Sequence, residues 1–275
     1  MATATMPAGD LLVEPAPRGL TRTGAARLDA IDMLRGLVIA IMALDHTRDF
    51  FHYYAQRFDP TDPAKTWPLL FATRWVTHLC APTFVFLAGV SIYFQKANGK
   101  TGLAAFLFKR GLWLILLEIT VVSFGFNFGE PFIGLQVIWA IGASMVAMSL
   151  IAPLPARGGL ALGLAILLLY PFAVSATAGA HGVAGIVRML GLAPGMIPGM
   201  PIRVRYAFIP WLAVMCLGFG LGPVYRLPPA ERRRRLLPLA LGLLLAFVVL
   251  RLFDGYGDPA PWSVRPRRRG PSSPS

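Results

Sequence analysis

A succession of long apolar runs sets the limits of what this chain can become. Crossing the hydrocarbon core of a bilayer takes about 20 mostly apolar residues in a helix, and about seven stretches meet that rule. They are 33–51, 67–94, 103–124, 132–152, 160–178, 206–221 and 236–253. The second carries Arg74 and His78 near its start, so its apolar core is expected to begin near Leu79. The sixth is short and rich in glycine. Inside lipid the backbone amides have no water to bond, so regular helices are expected, and no segment alternates with the period of two that a barrel strand needs. The predicted fold is all-α, a polytopic transmembrane helix bundle.

Composition agrees. Of 275 residues, 56% are hydrophobic and 14% charged, with a mean hydropathy of +0.61. A soluble domain carries about 25% charged residues, so this chain has too little polar material to coat a water-facing surface. The net charge of +13, from 26 Lys and Arg against 13 Asp and Glu, would in a soluble chain point to nucleic acid. Here the basic residues sort by loop instead, and no nucleic acid partner is expected. With the N-terminus inside, the cytoplasmic segments collect Arg18, Arg22, Arg27, Lys96, Lys100, Lys109, Arg110, Arg157, Arg226 and the arginines at 232–235. The outer segments receive Arg48, Arg57, Lys65, Arg188, Arg203 and Arg205. The bias predicts a cytoplasmic N-terminus and an outer connection at 126–131.

Residues 1–26, rich in Ala, Pro, Thr and Gly, lack the apolar core of a signal peptide and read as a flexible cytoplasmic tail. The membrane domain is expected to occupy 27–262 and a basic, disordered tail 263–275. That tail, rich in Arg, Pro and Ser, would lie outside after seven spans, against the loop bias. The expectation is a truncated or frame-shifted end; a natural basic tail is the alternative. Cys80 and Cys216 fall within spans, where a thiol behaves as a small apolar residue, so neither a disulfide nor a metal site is expected. Gly159/Gly163 and Gly218/Gly222 have the spacing of close helix packing. The long segment 180–205, rich in Gly, Pro and Met, reads as an outer connection with a half-buried turn, or as a cap over a site.

The first span carries the chemistry. A charge at the centre of a span costs about 2.5–3.5 kcal/mol on insertion scales, yet this one contains Asp32, Arg35, Asp45, His46, Arg48, Asp49 and, just beyond it, His52. Helical periodicity puts Asp32, Arg35, Ile39, Met42, His46, Asp49 and Tyr53 on one face, with Arg35 and His46 about 16 Å apart along the axis. Asp32 can brace Arg35, and Asp49 can orient His46, each at i,i+3, while Asp45 is expected to point away. A carboxylate holding one imidazole nitrogen leaves the other free to take a proton. The residues alone equally allow an interfacial cluster at the outer end of the helix. His78, on a face with Arg74, can line the same cavity or serve structure, and Glu118 is expected to face a polar network in the bundle interior.

These residues also carry a family resemblance. RLDAIDMLRG at 27–36, followed by an apolar run, resembles the start of the catalytic domain of heparan-α-glucosaminide N-acetyltransferase and its bacterial relatives. APTFVFLAGVSI at 81–92 resembles that family's second-helix signature, and DGYGD at 254–258 resembles a bacterial segment of it. The Arg-x10-His spacing of Arg35 and His46 is similar to the first-helix motif of the acyltransferase-3 membrane enzymes. No histidine here matches the spacing of the lysosomal enzyme's functional histidine, so the role of His46 follows from the acyltransferase-3 pattern alone. The resemblance implies transfer of an acyl group, acetyl above all, from cytoplasmic acyl-CoA to a hydroxyl or amine of a sugar or glycan at the outer side of a bacterial inner membrane. Arg35 would bind CoA phosphate, His46 and Asp49 would perform the transfer, and Asp32, Arg74, His78 and Glu118 would support substrate or site. Members ordinarily continue with further spans. The competing class is a transporter or channel using the Arg, His and Glu as an ion or proton path, although no pair of related halves is visible. A third is a structural membrane protein without chemistry. Self-association is left open.

Overall fold

The computed structural model describes residues 29–51, 66–127 and 132–253. The two tails, His52, Tyr53, residues 128–131 of the connection expected outside, the 254–258 motif and the side chain of Asp49 lie outside the described residues.

Each apolar run forms helix. The elements are α1 (Asp29–Phe51), α2 (Pro68–His78), α3 (Cys80–Ala97), α4 (Leu103–Leu117), a π-helical turn (Glu118–Val122), α5 (Ser123–Asn127), α6 (Val137–Ile151), α7 (Ala156–Ala176), α8 (Gly182–Gly191), α9 (Phe208–Tyr225) and α10 (Pro229–Phe253). Three short strands, β1 (Ile133–Leu135), β2 (Gly195–Met196) and β3 (Ile202–Val204), complete them. By length and apolarity alone, Pro68–Ala97, Ala156–Ala176, Phe208–Tyr225 and Pro229–Phe253 qualify as membrane-crossing helices. α1 is long enough but too charged for that criterion.

Local sequence explains the breaks. Pro68 starts α2, where its missing N–H costs nothing. The second apolar run splits at Leu79 because Pro82 cannot donate to the carbonyl four residues back, at His78. The apolar core of that run does begin where the sequence places it. Between α3 and α4 the turn uses Gly99 and Gly102 at φ of 72° and 64°, a region that favours glycine.

α9 is the central helix, packed between α3 and α7 and against α6, and α4 packs on α6. Val85, Ile92, Leu107, Met145, Met148, Met215, Cys216 and Phe219 form the core. Close approach depends on glycine: a Cβ on Gly89 would strike the Met215 carbonyl, and one on Gly218 would strike that of Phe86. The Gly159/Gly163 and Gly218/Gly222 pairs do mark packing surfaces, Gly159 against Phe219 and Gly163 against the Ala213 carbonyl. Both cysteines are free and buried. Lys96 donates to the carbonyls of Ala152, Pro153 and Leu154 at 2.7, 2.9 and 2.6 Å, closing the C-terminus of α6.

The outer faces stay apolar. α10 buries no residue, and Leu164, Leu168, Leu169 and Phe172 make an exposed stripe along α7. Surfaces of this kind suit hydrocarbon rather than water, as an integral membrane bundle requires.

Two elements depart from the sequence reading. Residues 180–205 form α8 and two strands rather than an irregular connection. β3 pairs in parallel with β1 (Ile133 with Ile202, Leu135 with Val204) and antiparallel with β2, so the order is β1-β3-β2. Leu135, Ile197 and Val204 are buried beneath Ile186, Met189 and Trp139. Three-residue strands are too short for a periodicity of two to be read, and their backbone groups find partners in each other at one end of the bundle. Ser123 of α5 accepts from the Gly134 amide at 3.2 Å, tying this sheet to the α4–α5 helix.

Candidate functional site

α1 runs antiparallel to α2 and α3, and its polar side chains are spent at two levels. At the first, Nη1 of Arg35 donates to Asp32 at 3.1 Å, one turn earlier on the same helix. Nη2 donates to the Ser91 hydroxyl and, at 3.4 Å, to the Leu87 carbonyl on α3. Ser91 in turn donates to the same carbonyl at 2.7 Å. The guanidinium thus ties together the two segments that carry the family resemblance, 27–36 and 81–92, while remaining 35% exposed. The expected Asp32 brace is present.

At the second level, near the C-terminal end of α1, the carboxylate of Asp45 lies 2.6 Å from Arg48 on its own helix. Nη1 of Arg74 on α2 reaches both of its oxygens, at 3.2 and 3.0 Å. Asp45 thus points away from the face shared by Arg35 and His46, as its position on the helix predicts, and the addition is the partner it meets on α2. Asp45 is 14% exposed on its side chain, so two cations share a nearly buried anion. An unpaired charge at that depth would be costly, and the pairing removes the cost. Sequence reasoning missed this node because Asp45 and Arg74 are 29 residues apart; the i,i+3 spacing of Asp45 and Arg48 was the available signal.

His46 faces the other way, toward α5. Its ring lies 5.6 Å from that of Phe126 at 71°, an edge-on contact, and Phe50 stacks on Phe126 from the next turn at 5.1 Å. Nδ1 of His46 is buried and finds no hydrogen-bond partner among the described residues.

His78 is exposed near the end of α2, its Nδ1 2.7 Å from the Arg74 carbonyl. A carbonyl only accepts, so Nδ1 is the donor in this contact. Glu118 is 0% exposed, at the first position of the π-helical turn. Its Oε2 accepts from the Trp139 amide at 2.9 Å, in the first turn of α6. A carboxylate there satisfies an amide that the helix cannot and complements the positive end of the helix dipole. The inward-facing polar role expected for Glu118 is therefore a cap on α6, joining α4 to the end of the bundle that bears the sheet. His181 precedes α8 in extended conformation and is exposed.

Of the residues singled out in the sequence, α1 and α2 gather Asp45, Arg48 and Arg74 at one level, with His46 beside them on α1. Arg35 and Asp32 stand three turns away along the same helix, and Glu118 serves α6.

Beyond this geometry, the profile of the family described as "Heparan-alpha-glucosaminide N-acetyltransferase, catalytic" matches residues 27–250. No curated protein and no solved structure gives a significant match.

Proposed function

The chain belongs to the heparan-alpha-glucosaminide N-acetyltransferase catalytic family, and from that membership we propose that it transfers an acyl group, acetyl in the first instance, from cytoplasmic acyl-CoA to a sugar or glycan on the far side of the membrane. The family points to a membrane acetyltransferase, and the helical, lipid-compatible bundle agrees with it.

The observation that carries the finer reading is the division of α1 into two polar levels on one membrane-spanning helix. Arg35, partly exposed near its N-terminal end, has the planar fork that pairs with phosphate, and Asp32 holds it in place. His46, about three turns on, offers a buried nitrogen with no partner among the described residues. The rise between them, about 16 Å, is comparable to the reach of an extended pantetheine arm, so one helix can hold the nucleotide end of CoA near one surface and receive its thioester near the other. His46 takes the proton of the acceptor hydroxyl or amine as that atom attacks the thioester carbonyl. The carbon–sulfur bond breaks, and the proton passes to the departing thiolate. Asp49 orients the imidazole, and Asp45, Arg48, Arg74 and His78 shape the polar surroundings. The positive-inside pattern supports a cytoplasmic N-terminus in a bacterial inner membrane.

Donor binding tests this reading. Purified protein is titrated with acetyl-CoA in detergent, comparing wild type with Arg35→Lys and Arg35→Ala. Lysine keeps the charge without the fork, so its affinity should fall between the other two. Unchanged affinity in both variants would remove Arg35 from the donor site. No binding by wild type would favour the transport reading of the same charges.

A further inference from the structure

A row of polar side chains continues from Arg35 along α3. Leu87, Ser91 and Gln95 stand at i, i+4 and i+8, and so share one face of that helix. Arg35 donates to the Leu87 carbonyl and the Ser91 hydroxyl. One turn further on, Nε2 of Gln95 donates to the Ser91 carbonyl at 3.4 Å, and Oε1 accepts from Nζ of Lys100 at 2.6 Å. The end of the helix fixes Lys100 in this place. Gly99 takes a φ of 72°, and the Lys100 amide folds back to donate to the Gln95 carbonyl at 3.0 Å. Its ammonium lies over the Phe106 ring, 3.2 Å from the centroid. Lys100 is thus an exposed cation held by an amide oxygen and an aromatic face. Among the described residues no carboxylate pairs with it, whereas Arg35 is paired with Asp32.

We infer that Lys100 binds the 3′-phosphate of the acyl-CoA donor, whose nucleotide lies along the Ser91 and Gln95 face of α3. The inference rests on the donor site proposed for Arg35. With the pantetheine arm running from Arg35 toward His46, the nucleotide leaves Arg35 in the opposite direction. That direction leads to the end of the bundle where α1 begins and α3 ends, because Ile31 of α1 packs with Leu87, Val90 and Phe94 of α3. Lys100 stands at that end. A phosphomonoester carries a charge of about −1.5 to −2 at neutral pH, and an ammonium whose partners are neutral keeps its full charge for it. Gln95 and Phe106 hold the ammonium in position without neutralising it.

The test titrates the full chain in detergent with acetyl-CoA and with acetyl-3′-dephospho-CoA, which lacks only that phosphate. An exposed ion pair is worth about fivefold at best, so wild type should prefer acetyl-CoA by about that factor. Lys100→Gln should remove the preference and bind the dephospho donor as wild type does. Arg157→Gln, which deletes an exposed cation at the start of α7, should keep the preference. Lys100 sits in an exposed turn, so its variant should fold, which the thermal transition checks; the wild-type comparison needs no substitution. Equal binding of the two donors by wild type, as a lipid phosphate seated on Lys100 would give, overturns the inference and leaves the donor site at Arg35 standing. So does an undiminished preference in folded Lys100→Gln, or its equal loss in Arg157→Gln. Binding of neither donor removes the donor site itself, and this inference with it.

Discussion

Arg74 on α2 donates from one nitrogen to both carboxylate oxygens of Asp45 on α1, at 3.2 and 3.0 Å, and so holds the first helix against the second. α1 buries few apolar side chains, Ile31 and Val38 among them, so polar ties at Asp45 and Arg35 carry an unusual share of its attachment.

Asp45→Asn should therefore loosen α1. Two arginines would lose their shared anion, and breaking a buried pair costs about 3–5 kcal/mol. Partial exposure of Arg74 brings the expected loss to about 2–3 kcal/mol. Arg74→Gln should cost less, because Arg48 still neutralises the carboxylate. Thermal unfolding in detergent measures both; equal, negligible shifts would mean the pair adds nothing.

The α3–α9 crossing predicts a sharp contrast among glycines. Gly89→Ala places a methyl group against the Met215 backbone, where neither side can yield, and should cost at least about 3 kcal/mol. Gly36→Ala on α1 meets nothing within 4 Å and should gain about 0.5–1 kcal/mol through helix propensity. The same unfolding assay decides, and a mild Gly89→Ala would mean the helices stand further apart.

Much of this fold was legible because the bilayer simplifies the code. All seven apolar runs are helical, and Pro82 and the Gly-x-x-x-Gly pairs mark a break and the packing surfaces. The small sheet was not legible: strands of two and three residues carry too little pattern, and β1 and β3 are separated by α6, α7 and α8. At the site, the Asp32–Arg35 pair followed from helical spacing. Asp45 did not, since helical geometry gives its direction but not that α2 waits there with Arg74. Glu118 was read correctly as inward-facing, yet its partner, the Trp139 amide, belongs to the backbone and leaves no trace in side-chain chemistry.

Glu118 separates structure from chemistry by paired substitutions. Glu118→Gln keeps an acceptor for the Trp139 amide and should unfold within about 1 kcal/mol of wild type, whereas Glu118→Leu strands that amide at a cost of about 1–3 kcal/mol. Acyl transfer should survive in the glutamine variant. A stable Glu118→Gln protein without activity would place the carboxylate in the proton path instead of the cap.

Orientation has a direct readout, because Cys80 and Cys216 are buried and should remain unlabelled. Val183→Cys on α8 should react with an impermeant maleimide from the periplasmic side, and Asn98→Cys between α3 and α4 only after the cytoplasmic side is opened. The reverse pattern would invert the direction of acyl transfer.

If His46 carries the reaction, acyl transfer from labelled acetyl-CoA in membranes at matched expression shows it most directly. General acid–base catalysis contributes about 10²–10⁴-fold, so His46→Ala should lose at least about a hundredfold in turnover while still binding acetyl-CoA. His78→Ala, which removes an exposed ring tied to its own helix at the Arg74 carbonyl, and His52→Ala should keep most of the activity. Full activity in His46→Ala with loss in either other variant would contradict the assignment and move the base to that histidine.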